Sequence, residues 1–91
     1  MPDHYRISPD RVTQVDGEGE PVQVWDAAQL FDQLVWVGCP LFQDPGGEVL
    51  IDIELSPTGS PARVHTNDEH RPSMPVSDEV ASLVAQWQEH P

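Results

Sequence analysis

Lysine is absent from this 91-residue chain, and cysteine and tyrosine occur once each. Without lysine, neither a Schiff-base amine nor an ammonium phosphate clamp is available. With Cys39 as the single thiol, no internal disulfide can form, so no covalent framework supports the fold. Bases are scarce as a class. Four Arg stand against 16 Asp and Glu, giving a formal net charge of -12. That charge repels phosphate backbones and anionic lipid, which argues against direct binding to nucleic acid or to a membrane surface. No apolar run approaches the roughly 20 residues of a membrane span. Met1-Pro2-Asp3-His4-Tyr5-Arg6 lacks the basic-then-apolar order of a secretory leader. A soluble cytoplasmic protein is the expectation. Arginine without lysine is also what the coding bias of a GC-rich genome produces. Catalytic signatures are missing too. No Gly-rich loop opens a helix, no Ser-centred elbow occurs, and Asp16-Gly17-Glu18-Gly19-Glu20 is too short to cage calcium.

Leu, Ile, Val and Phe together make up 22 residues, about 24% of the chain. This lies just above the roughly 20% below which a highly charged chain stays disordered. The length fits one small domain over 1–91, with 1–10 loosely ordered around Pro2 and Pro9. Tyr5 and Ile7 share the parity of a short edge strand. Arg11 to Val15 and Val22 to Trp25 are β-branched stretches joined by an Asp-Gly loop, a hairpin signal. Asp26 then reads as an N-cap, with Gln29 completing a capping box and Trp25 stapled to Leu30. The apolar arc Ala27, Leu30, Phe31, Leu34 and Val37 predicts a helix over about 26–37, stopped by Gly38 and Pro40.

Leu41 to Val49 reads as strand, turn, strand. Val49, Ile51, Ile53 and Leu55 alternate with Asp52 and Glu54, the clearest strand in the sequence. Pairing Leu55 with Ala62 would set Glu54 opposite Arg63 and Asp52 opposite His65, so charge and apolar register agree. Asn67 to Pro75 reads as a polar loop. Ser77 caps a final helix over about 77–89, with Asp78 and Glu79 at its positive end and Val80, Leu83, Val84 and Trp87 on one face. The predicted fold is α+β, a small antiparallel sheet of four or five strands packed against two helices.

Few residues invite chemistry. Cys39 has no cation near it in sequence and reads as a packed small hydrophobe. His65 and His70, with Asp68 between them, could form a metal or ligand site, but their spacing matches no zinc pattern and His65 already has Asp52 as a partner. No cofactor is implied, and no enzyme is expected. The charge distribution says more, because residues 12 to 62 hold nine acids and no base. Its bland meaning is solubility. Its functional meaning is a surface aimed at a basic partner.

Trp36 breaks the helical pattern. Either the helix has ended and Trp36 is core in a following strand, preferred by a narrow margin, or it is an exposed anchor on the polar face. The sequence therefore predicts a non-catalytic acidic interaction module that binds a basic protein surface, with Trp36 as anchor and Asp16, Glu18, Glu20 and Asp32 as steering charges. A nucleic-acid-mimicking inhibitor of a DNA- or RNA-binding protein, of the phage anti-defence kind, is the alternative. A Val-rich edge strand leaves both monomer and homodimer open.

Overall fold

Two three-stranded antiparallel meanders meet side by side in the computed structural model, which describes residues 3–89. The first comprises β1 (His4–Ile7), β2 (Arg11–Val15) and β3 (Pro21–Asp26). The second comprises β5 (Val49–Leu55), β6 (Pro61–His65) and β7 (Ser73–Pro75). Between them run α1 (Ala28–Trp36) and the short β4 (Phe42–Gln43), and α2 (Asp78–Glu89) closes the described chain. The sheet order is β3-β2-β1-β5-β6-β7, with β4 paired to β5. The α+β class holds, with seven strands rather than four or five.

Three expectations are corrected by this layout. β1 is a central strand between β2 and β5, not a loose edge, and the Leu55 amide donates to the Asp3 carbonyl at its start. Its alternation explains the placement, because Tyr5 and Ile7 are buried. Ser73–Pro75 pairs with Arg63–His65 instead of remaining loop. Asp26 ends β3 opposite Arg11, so it cannot cap α1; the N-cap is Ala27, with no side-chain hydrogen bond. Strand pairing outcompetes the capping box here, since Asp26 is held in the ladder. Ser77 does cap α2, its Oγ accepting from the Val80 amide at 3.3 Å.

The core lies between one sheet face and the two helices. Ile7, Val12, Ile51, Ile53 and Val64 meet Leu30, Phe31, Leu34, Val80 and Val84. On β5 the expected inward face is buried from Ile51 to Leu55, while Val49 at the strand start is exposed. The opposite face carries the charges, and Asp52 and Glu54 find partners there that differ from those predicted. His4 Nδ1 donates to Asp52 Oδ1 at 2.7 Å, and His65 Nε2 donates to Glu54 Oε1 at 3.3 Å. Asp52 lies opposite His65 and Glu54 opposite Arg63 as expected, but the expected pairing of Leu55 with Ala62 is corrected to Leu55 with Pro61. His4 reaches Asp52 because β1 lies on the other side of β5, a neighbour that local sequence cannot reveal.

Three connections share one plan. In Asp16–Glu20, Asp44–Glu48 and Ser56–Ser60 the first residue's amide donates to the fifth residue's carbonyl, and the glycine's amide donates back to the first carbonyl. The first side chain, Asp16, Asp44 or Ser56, then accepts from the fifth amide. This is a turn closed by a left-handed glycine, with φ +88 at Gly19 and +87 at Gly59. After two of these loops the ladder shifts by one residue, at Gln14/Val15 and Glu54/Leu55. Leu55 therefore pairs with Pro61, Ala62 being the extra residue of a bulge.

Candidate functional site

α1 terminates as the sequence predicts. The Gly38 amide donates to the Val35 carbonyl and the Cys39 amide to the Leu34 carbonyl, the two bonds of a Schellman ending. The turn returns Cys39 to the core cluster that also holds Leu34. Burial pushes the Cys39 thiol up to about 11 from its ordinary 9.0, so it remains protonated at neutral pH and is no nucleophile there. Between those two values the unfolded chain releases a proton that the folded chain keeps, so alkaline pH favours unfolding. Stability measured by urea titration is expected to fall between pH 9 and about 11 more steeply in the wild type than in Cys39→Ala. Identical slopes for the two proteins would place the thiol in water.

The same ending decides Trp36. It is the last residue of α1 and is 89% exposed, so the core reading is corrected. Leu30, Phe31 and Leu34 fill the buried arc of this nine-residue helix, and at 100° per residue Trp36 falls outside that arc. Asp32, exposed on α1, lies one turn earlier on the same face as Trp36. Val35 and Leu41, flanking it in sequence, are also exposed. The structure thus joins Trp36 with Asp32. It sets Asp16, Glu18 and Glu20 apart in the β2–β3 loop. Asp16 is half-buried there, its Oδ1 accepting from the amides of Glu18 at 2.9 Å and Glu20 at 3.0 Å. Glu18 and Glu20 project as exposed charges.

Of the nine acids between residues 12 and 62, Asp16, Asp44, Asp52 and Glu54 accept hydrogen bonds through their carboxylates, the first two within their loops and the other two across strands. Glu48 lies 3.9 Å from Arg11. Among the described residues no group of three His, Cys, Asp or Glu is placed to hold a metal ion. His65 is engaged by Glu54, and His70 is an exposed loop residue whose amide donates to Asp68.

A second feature was not visible in the sequence. At the sheet end that carries the β5–β6 loop, a cleft of about 1030 Å³ opens between Tyr5, Trp25, Trp87 and the loop Ser56–Ser60. The three rings stand mutually perpendicular, at interplanar angles of 84° to 87°, with centroids 5.0 Å (Trp25–Trp87), 5.3 Å (Tyr5–Trp87) and 6.1 Å (Tyr5–Trp25) apart. They come from β1, β3 and α2, and only tertiary folding unites them. Gln88 fixes the wall, donating to the Tyr5 hydroxyl at 3.1 Å and to the Gly59 carbonyl at 2.8 Å.

Compared with known proteins, the chain matches no family model, no curated protein and no solved structure. Among the described residues no helix is long and apolar enough to cross a membrane.

Proposed function

We propose that this protein is a non-catalytic acidic interaction module that docks on a basic surface of a partner protein in the cytoplasm. The exposure of Trp36 carries the reading. A tryptophan this open, at the tip of a helix that turns Leu30, Phe31 and Leu34 to the core, contributes little to folding and offers a large rigid contact. Asp32 beside it, and a net charge of -12 around it, suit a partner of opposite sign. Glu18 and Glu20 act at longer range, raising the encounter rate. Self-association through the edge strand β3, where Val22 and Val24 are exposed, is opposed by the same charge unless a partner neutralises it.

The test is Trp36→Ala. Its melting temperature is expected to stay within about 2 °C of the wild type, as surface substitutions do. Affinity for the basic partner captured by the wild type is expected to fall about tenfold or more. Raising salt from about 50 to 300 mM is expected to slow association, with dissociation changing less. Unchanged affinity in Trp36→Ala, or a melting point lower by many degrees, would defeat the proposal.

A further inference from the structure

β3 is the last strand on its side of the sheet, and among the described residues nothing pairs with its outer edge. The two edges of the sheet are built differently. β7 is three residues long, with Pro72 before it and Pro75 at its end, devices that stop another strand from adding. β3 is six residues long, and its centre, Val22-Gln23-Val24-Trp25, carries no charge and no proline. We propose that the open edge of β3 takes up, as an added strand, an extended segment of another protein with β-branched residues at its centre and arginine or lysine at both ends.

The backbone is oriented for this. The Ser8 amide donates to the Arg11 carbonyl, so Arg11 and Thr13 turn their peptide groups to β1. Val12 and Gln14 alternate with them and turn to β3, where they lie opposite Trp25 and Gln23. Val24 and Asp26 alternate in turn with those two, so their N–H and C=O groups point out of the sheet. An unpaired row of this kind is a template for strand addition. Side chains and charge select the occupant. Val22 and Val24 are exposed and offer β-branched contacts to a strand alongside. Exposed acids stand at both ends, Glu18 and Glu20 before the strand and Asp26 at its close. Arg11, opposite Asp26, is directed to Glu48 at 3.9 Å. A second copy of this chain fits poorly. Antiparallel pairing of two β3 strands would set Glu20 of one against Asp26 of the other, and parallel pairing would set each acid against itself. Bases at both ends of the added segment turn that repulsion into attraction in either direction.

The probe is a capped peptide of alternating valine and threonine with arginines at both ends, titrated into the whole chain. Hydrogen exchange of the Val24 and Asp26 amides is expected to slow about tenfold or more at saturation, while the Gln23 and Trp25 amides, already turned to β2, change little. The same peptide with glutamates for arginines is expected to bind about tenfold more weakly or worse. Val24→Pro removes one outward N–H, spares the β2 ladder, and should weaken the arginine peptide about tenfold. If that variant fails to fold, Val24→Lys, which blunts the edge by charge, takes its place. Trp36→Ala should bind the peptide as the wild type does, which keeps this result independent of the role proposed for Trp36; a loss there would put the peptide on α1 and overturn the strand site. Equal binding of the two peptides, unchanged binding by the Val24 variant, or slowing that does not alternate along β3 also overturns it. So does protection of Val24 that grows with protein concentration before peptide is added, since a second copy would then be the occupant.

Discussion

Ile53→Ala is expected to lower stability by about 2–5 kcal/mol, the usual cost of removing a large aliphatic side chain from a packed interior. Ile53 is fully buried on β5, opposite Tyr5 on one side and Val64 on the other, so both meanders lose contacts at once. A domain of this length has roughly 5–14 kcal/mol of total stability. Small size and the absence of a disulfide place it toward the lower end. The melting point should drop by roughly 8–40 °C, at about 4–8 °C per kcal/mol. Val24→Ala is the contrast: Val24 is 56% exposed on the edge strand, and its loss should stay within about 0.5 kcal/mol. Thermal unfolding followed by circular dichroism distinguishes the two, and an Ile53→Ala protein melting within a few degrees of wild type would mean that β5 is not central.

The double variant Gly19→Ala/Gly59→Ala tests the repeated loop plan. Both glycines have a left-handed backbone, and an added Cβ would meet nothing within 4 Å at either. The penalty is therefore conformational and not a clash. A left-handed conformation costs an L-residue about 1–2 kcal/mol. A stiffer unfolded chain returns about 0.4–1 kcal/mol of that. Net losses of roughly 1 kcal/mol at each of two separate sites should add, lowering the melting point by about 8–16 °C. Gly46→Ala serves as control, since its φ is ordinary and its Cβ would lie 3.4 Å from Asp44 Oδ1. A double variant as stable as Gly46→Ala would contradict the turn geometry.

Local periodicity made much of the fold legible. Ile51, Ile53 and Leu55 announce β5, Gly38 and Pro40 announce the end of α1, and Ser77 announces the start of α2. Pairing between distant strands was not legible, because a strand's own pattern does not say which neighbours it takes. Hence parity alone puts β1 at an edge, and nothing near His4 in sequence points to Asp52, whose carboxylate it holds. Asp26 misled in a different way, since the sequence of a capping box is satisfied there while the ladder claims the residue. Trp36 could be narrowed only to two alternatives, since its exposure depends on whether α1 reaches it before the chain turns. The aromatic cleft had no local signal at all. Tyr5, Trp25 and Trp87 belong to three separate elements, and each alone reads as core.

The junction between the meanders has a kinetic consequence. Every pairing within β1–β3 or β5–β7 links strands adjacent in sequence, and these ladders can form early and independently. The β1–β5 seam differs, since contacts such as His4 to Asp52 span 48 residues. Zipping it requires closing a long loop, the slow kind of event in folding. Until then Ile7 on one half and Ile51 on the other stay wet, and each half shows a bare strand edge to any other chain. During synthesis, the first half must wait for β5 to leave the ribosome before either edge is covered.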